Sequence, residues 1–439
     1  MNRILGIELR RSAAIGSALL VLLVGVLLLF FAGDSSFTTG WMQLAMTQRL
    51  YLAVLWPLAL AAGAWQARRE HRSHVEELFA STPRPRGQRT LPTVGAMALA
   101  VVCGYLAMGV VGGLWIIGTA GYLPTQAFVV TAVGLLALTG AVWLGLAAGR
   151  LLPWLVTAPA LAVAGTALIL LIPRATRPRG WLALVFSPMH EMNLPGPYTT
   201  VPGQVSIAQA VWLTALAVAG VMLFASNGWR ARMAALLPVA AGAALAITLM
   251  PRENRVVYDA IDPVARELVC TEDAPRVCVS RVHSGLLPEV TPVGRQALAL
   301  LAKLPDPPAE VHEDTTVWAT DSAPPWRRDV ALLTVGAGQN GHLANKEKAV
   351  ADAVSGAFAS PLDCEKPARI ADRLAATYWL LDREPQADDL YDPNDVAKSV
   401  RLWKELRQLP SGKAKTLVAE LRHDAVTCTD SAGLSALSR

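Results

Sequence analysis

Before about residue 250 the chain is a series of apolar runs, each long enough to cross a bilayer, and no other feature constrains its fold as tightly. A spanning helix takes roughly 20 apolar residues. Its backbone must satisfy its own hydrogen bonds, because lipid offers none. Spans are expected at residues 12–32, 45–65, 91–118, 127–148, 152–172, 207–225 and 234–250. Residues 1–11 are basic, like the start of a signal peptide. The apolar run that follows is of spanning length, however, and no small-x-small cleavage pattern precedes Gly33, so an uncleaved first helix is expected. The fold class this implies is an α-helical polytopic membrane domain of about seven spans (1–250), followed by a small α+β domain (251–439).

Charge divides at the same place. Residues 1–250 hold 16 Arg and no Lys against 6 acidic residues, a balance of +10, whereas the remainder holds 23 basic and 28 acidic residues, a balance of −5. The basic residues sit in short loops between apolar runs, which argues against a nucleic-acid partner. With the N-terminus inside, cytoplasmic segments carry Arg3, Arg10, Arg11, Arg68, Arg69, Arg72, Arg84, Arg86, Arg89, Arg150, Arg230 and Arg232. Outer segments carry Arg174, Arg177 and Arg179. Positive charge retained inside orients the chain this way in a plasma membrane, and an odd number of spans then delivers residues 251–439 to the extracytoplasmic side. The spans themselves are expected to hold no Asp, Glu, Lys, Arg or His at membrane depth. That expectation speaks against a proton-coupled antiporter, a proton pump or an intramembrane metalloprotease, which need such groups.

Two loops exceed simple turns. In the inner one, residues 66–90, Ser73 and Glu76 stand at capping-box spacing, and Val75, Leu78 and Phe79 would form one apolar face. Ser81-Thr82-Pro83 would end that helix, and Pro85 would keep the chain extended. It would lie on lipid or dock into a partner's groove, unless the segment is only a positive-inside loop. In the outer loop, residues 173–206, the apolar piece 181–186 is too short to span, which suggests a re-entrant or interfacial segment. His190-Glu191 lacks a second His four positions on, since residue 194 is Leu, so a metal role is not expected.

The inner loop text Arg-Glu-His-Arg-Ser-His-Val-Glu-Glu-Leu-Phe-Ala-Ser-Thr-Pro-Arg-Pro-Arg, residues 69–86, resembles the cytoplasmic coupling segment of ABC-2-type transporter permeases. Residues 1–11 and 173–206 are similar in position to that family's interfacial N-terminal segment and outer hairpin. The overall shape resembles actinobacterial permeases with an added C-terminal extracytoplasmic domain. The resemblance covers roughly residues 1–230; a seventh span and a large outer domain depart from the six-span family core. It implies that Glu76, Glu77, Leu78, Thr82, Pro83 and Arg84 contact a separately encoded ATPase subunit, and that two copies, or two related permeases, enclose the path.

The last 189 residues carry four of the five cysteines, Cys270, Cys278, Cys364 and Cys428; Cys103 lies in an apolar run. An even number outside the cytoplasm reads as two disulfides. Cys270 and Cys278 flank a turn-rich insert, suggesting a cross-strand bridge and leaving Cys364 for Cys428. Four unpaired thiols is the plainer alternative, and no spacing suits zinc. Strands are expected at 267–269, 277–279, 316–319 and 330–335, and helices at 292–303, 345–358, 366–381, 393–409 and 413–425. Gly336, Gly338 and Gly341 follow a strand-like run, but no repeated βαβ pattern surrounds them, so a glycine-rich turn is preferred to a dinucleotide site. Ser411-Gly412-Lys413-Ala414 lacks the first glycine and the metal-binding hydroxyl of a P-loop. His283, His312, His342 and His423 show no suggestive spacing. Trp318, Trp326, Trp379 and Trp403 read as core anchors. No cofactor and no enzyme activity are expected.

The reading favoured by these features is the membrane subunit of an ATP-binding-cassette exporter for an amphipathic or hydrophobic substrate, driven by a partner ATPase. The alternative is a non-transporting membrane protein that presents an extracytoplasmic binding or sensor domain.

Overall fold

The computed structural model of the chain describes residues 13–32, 36–72, 86–189, 196–226, 228–258, 260–317, 322–386, 391–429 and 433–436, without the side chains of 69–72, 86–89 and 435–436. It divides into two compact units, one of residues up to 117 and 123–262, the other of Gly118–Tyr122 with Pro263–Arg439.

The first unit is helical: α1 (Ala14–Phe31), α2 (Trp41–Leu50), α3 (Leu52–Arg72), α4 (Arg86–Ile116), α5 (Thr125–Leu151), α6 (Thr157–Ala175), α7 (Gly180–Phe186), α8 (Gly203–Ala225), α9 (Trp229–Ala234), α10 (Leu236–Leu249) and α11 (Asn254–Tyr258). Six helical stretches are each long and apolar enough to cross a membrane, among them α9 and α10 taken together. The expected second span is a pair, α2 and α3, bent by 51° at Tyr51, and counting that pair as one span gives up to seven. α3 and α5 pack closely because neither carries a side chain at the crossing. A Cβ on Gly145 would meet Leu60 O, and one on Gly63 would lie 2.8 Å from Leu146 N. Membrane helices associate through such small residues, since lipid supplies no hydrophobic drive between them.

The piece expected to be re-entrant or interfacial is the helix α7, in which Ala183, Leu184 and Val185 are buried. Its start is fastened to α11: Tyr258 OH donates to Gly180 O at 2.8 Å, and Trp181 N–H donates to Asn254 Oδ1 at 3.0 Å. Val201, Val205 and Ala208 pack with Leu184, Val185 and Val257 in one apolar cluster that also takes in Met42 and Met46 of α2.

The second unit is built on a four-stranded sheet of β1 (Leu268–Cys270), β2 (Val277–Ser280), β3 (Glu310–Glu313) and β4 (Val330–Leu333), in that spatial order. β1 pairs antiparallel with β2, and β2–β3 and β3–β4 are parallel. Helices α12 (Leu287–Leu301), α13 (Lys346–Gly356), α14 (Ile370–Leu380), α15 (Pro393–Gln408) and α16 (Ser411–Thr427) supply most of the remaining core. Asn345 caps α13 by accepting from Lys348 N–H, and Asp392 caps α15 by accepting from Asn394 N–H.

One expected strand is displaced. β3 lies at Glu310–Glu313; residues 318–319 of the expected 316–319 lie outside the described set, and Val317 forms an isolated bridge to Ser322. The sequence Glu-Val-His-Glu hides its strand character because its acidic residues are satisfied internally. Glu313, 2% exposed, accepts from Ser280 N–H, and Glu310 binds Arg327. Gly336–Gly341 folds as a tight turn: Gly338 N–H donates to His342 O, and Gly341 sits at φ +78°, a conformation that favours glycine.

Disulfides join Cys270 to Cys278, directly opposite each other in the β1–β2 register, and Cys364 to Cys428, the same pairs that the spacing suggests. Cys103 is unpaired. Trp379 and Trp403 pack at the edge of the core, Trp326 Nε1–H donates to Val426 O, and Trp318 lies outside the described residues.

Candidate functional site

The expectation that the membrane spans hold no ionisable side chain fails at Arg49, which falls within the expected second span. Its side chain is fully buried at the end of α2. Nε and Nη2 donate to Pro188 O at 3.2 and 2.9 Å, Nη2 also to Gln209 Oε1 at 3.1 Å, and Nη1 to Val130 O at 3.4 Å. Gln209, itself buried on α8, turns its amide N–H groups to Leu184 O and Met189 O. The last carbonyls of a helix have no partner within it, and here the carbonyls at and beyond the end of α7 receive donors from Arg49 and Gln209. A cation in the last turn of α2, against the end of α7, also opposes the negative ends of two helix dipoles. No carboxylate among the described residues pairs with Arg49; its acceptors among them are the carbonyls of Val130 and Pro188 and the side chain of Gln209.

Beside this node lies a groove of 360 Å³ between α2, α4 and α5. Trp41, Leu44, Val110, Leu114, Ile117 and Phe128 form its apolar walls, and Gln48, Tyr105 and Thr131 also line it. Gln48 is 2% exposed and Tyr105 is wholly buried, yet Gln48 Nε2 and Tyr105 OH have no hydrogen-bond partner among the described residues. Gly109 admits the Gln48 amide, because a Cβ there would sit 2.7 Å from Nε2. Gly134 does the same for Tyr105 and Arg49 together: its Cβ would lie 2.5 Å from Tyr105 OH and 3.1 Å from Arg49 Cδ. An unpartnered polar group in an apolar interior costs about 1–3 kcal/mol, and both atoms are enclosed by helix packing, with no accessible surface of their own.

The second unit contains its own cavity, of 590 Å³, lined by His312, Asp314, Trp326, Arg327, Arg373 and Tyr391 among others. Burial pushes the Arg373 guanidinium below its ordinary pKa, against the pull of Tyr391 and Asp314. Burial likewise lowers His312, against the hydrogen bond and charge of Glu310. Three of the histidines without suggestive spacing pair with glutamates, two of them distant in sequence and one two residues away on the same strand. His283 Nδ1 lies 2.5 Å from Glu313, His312 Nε2 2.8 Å from Glu310, and His342 Nδ1 2.5 Å from Glu289. The first pair is 2% exposed on both sides. Among the described residues no three His, Cys, Asp or Glu side chains converge as a metal set would.

Of the residues expected to meet an ATPase, Glu76, Glu77, Leu78, Thr82, Pro83 and Arg84 lie outside the described residues, as do residues 1–11, His190 and Glu191. The four paired cysteines lie in the second unit. Arg49 was legible as a lone Arg within an apolar run, although its partners at 130, 188 and 209 were not. No protein-family model, no curated protein and no solved structure matches this chain.

Proposed function

We propose that the chain is the membrane subunit of an ABC-2-type exporter, carrying an amphipathic or hydrophobic substrate and driven by a separate ATPase. The observation that carries the reading is the loop text of residues 69–86, between the bent pair α2–α3 and α4, with its resemblance to an ATPase-coupling segment. The helix order supports it, because a short apolar helix, α7, lies between the candidate spans α6 and α8 where that resemblance implies an outer hairpin. The chain has no P-loop, so the energy would come from a partner. The compartment assignment draws support from the two disulfides, which suit an oxidising exterior. Residues Gly118–Tyr122, between α4 and α5, belong to the same compact unit as residues 263–439. That grouping supports a reading in which this loop and the C-terminal region share one side of a membrane, the side that the positive-inside pattern assigns to both.

The test is purification of the tagged chain from native membranes with mass spectrometry of what accompanies it, alongside a Glu76→Ala, Glu77→Ala, Arg84→Ala loop variant. The expected result is a P-loop ATPase that accompanies the wild type and is lost from the variant. A second reading, a non-transporting protein that presents a binding domain, is favoured by the 590 Å³ cavity of the C-terminal unit. Envelope proteins recovered alone, in equal amounts from both forms, would replace the first reading with the second.

A further inference from the structure

We propose that the 590 Å³ cavity of the C-terminal unit binds an α-amino acid with a large apolar side chain, its carboxylate on Arg373, its ammonium on Asp314 and its side chain against Trp326. The proposal goes beyond the exporter reading, because it gives the C-terminal unit a ligand whether or not the spans transport.

Position and charge carry it. Asp314 and Thr334, the first residues past the carboxyl ends of the parallel strands β3 and β4, line the cavity. Parallel sheets gather ligands at that edge. Arg373, on α14, reaches the same place. Its Nη2 donates to Ser355 O at 3.3 Å, and the next residue, Gly356, lies so near Leu332 that a Cβ would collide with the Leu332 carbonyl. One residue further along β4, Leu333 O accepts from Asp314 N–H at 2.8 Å. The Asp314 carboxylate is near enough to favour the charge on Arg373, and its Oδ1 is held by Thr316 N–H at 2.9 Å. Arg373, Asp314, Trp326 and Tyr391 all line the cavity and all keep part of their surface exposed.

The charges decide the class of ligand. The wall carries the guanidinium groups of Arg327 and Arg373 and the carboxylates of Asp314, Asp352 and Asp363. Arg327 is engaged by Glu310 and Asp329. A simple anion would meet the carboxylates, and a simple cation would meet the desolvated guanidinium of Arg373. A molecule with both charges one carbon apart meets each with its opposite, through charge-assisted hydrogen bonds stronger than those of neutral hydroxyls. An α-amino acid is such a molecule. The cavity lies within the ~300–1,000 Å³ range of small-molecule sites, which leaves room beyond that head group. Trp326, Pro324 and Leu332 supply apolar surface for the side chain.

The experiment is equilibrium dialysis of radiolabelled L-phenylalanine against the full chain in phosphatidylcholine nanodiscs, with empty nanodiscs as the blank. Saturable binding is expected. Hydrocinnamate, which lacks the ammonium, and phenethylamine, which lacks the carboxylate, should each compete about tenfold less well. Asp314→Asn should weaken phenylalanine about tenfold and leave hydrocinnamate unchanged, because only phenylalanine carries the group that Asp314 meets. A variant that fails to fold would lose both ligands together, and the two analogues then decide the matter on the wild type alone. Equal competition by either analogue would overturn the proposal. So would equal competition by glucose, which would mark the cavity as a polyol site, or absence of saturable binding by phenylalanine, leucine and tryptophan alike. The ATPase co-purification reads a different part of the chain, so either result can fail without the other.

Discussion

Arg49 shows how a single side chain can hold an interior together. Burying a guanidinium at membrane depth is unfavourable by several kcal/mol on most scales, and here the carbonyl at 188 and the amide of Gln209 are arranged around it. Arg49→Met would leave those acceptors without donors and is expected to destabilise the detergent-solubilised chain by roughly 3 kcal/mol, measured as the shift in its thermal unfolding. Arg49→Lys should recover only part of the loss, because an ammonium cannot reach several acceptors as a planar fork does. A Met variant as stable as the wild type would contradict this account. A different residue sets a pH dependence. Burial raises the Asp372 carboxyl above its ordinary pKa, although Arg369 and the Leu434 N–H favour its charge. A carboxyl that holds its proton more tightly folded than unfolded contributes less stability as pH rises from the unfolded value of about 3.9 through the folded one. Stability of the full chain should therefore carry a component that declines above about pH 4, and Asp372→Asn should remove that decline in pH-resolved unfolding measurements.

At the scale of elements, legibility followed the distance over which each element finds its partners. The apolar helices could be read directly, because a run of spanning length is its own evidence; α5 and α8 begin within a few residues of where they are expected. The bend at Tyr51 was not legible, since no proline stands there and Pro57 lies inside α3. What accompanies it is the tertiary set around Arg49, drawn from α5, α8 and the chain after α7. Strand β3 escaped for the same reason: its Glu313 reads as solvent-facing until His283 and the Ser280 N–H are placed beside it. The groove was equally invisible, being made by three helices whose contributions are scattered over residues 41–131. The crossing of α3 and α5 yields its own prediction. Gly145→Leu would drive a side chain into the backbone of α3 at Leu60 and Ala64. The yield of monodisperse protein should fall sharply, whereas the same change at Gly16, where nothing lies within 4 Å, should leave it unchanged.

At the scale of the whole molecule the disulfides test the compartment. Cells treated with a membrane-permeant thiol blocker before lysis, then reduced and labelled with a heavy maleimide, should yield a chain shifted by four labels, with Cys103 blocked from the start. A chain blocked at all five cysteines would place residues 263–439 in a reducing compartment and overturn the orientation. The Cys364–Cys428 bridge closes a loop of 64 residues, and a loop of that length is worth roughly 4 kcal/mol in the chain-entropy account. It also changes what damage means. The last helices, α14 to α16, lie inside a covalent ring, so one proteolytic cut between Cys364 and Cys428 opens the ring without releasing either piece. A nicked molecule therefore keeps every residue of the C-terminal unit attached, and only a second cut, or a reductant, turns injury into loss.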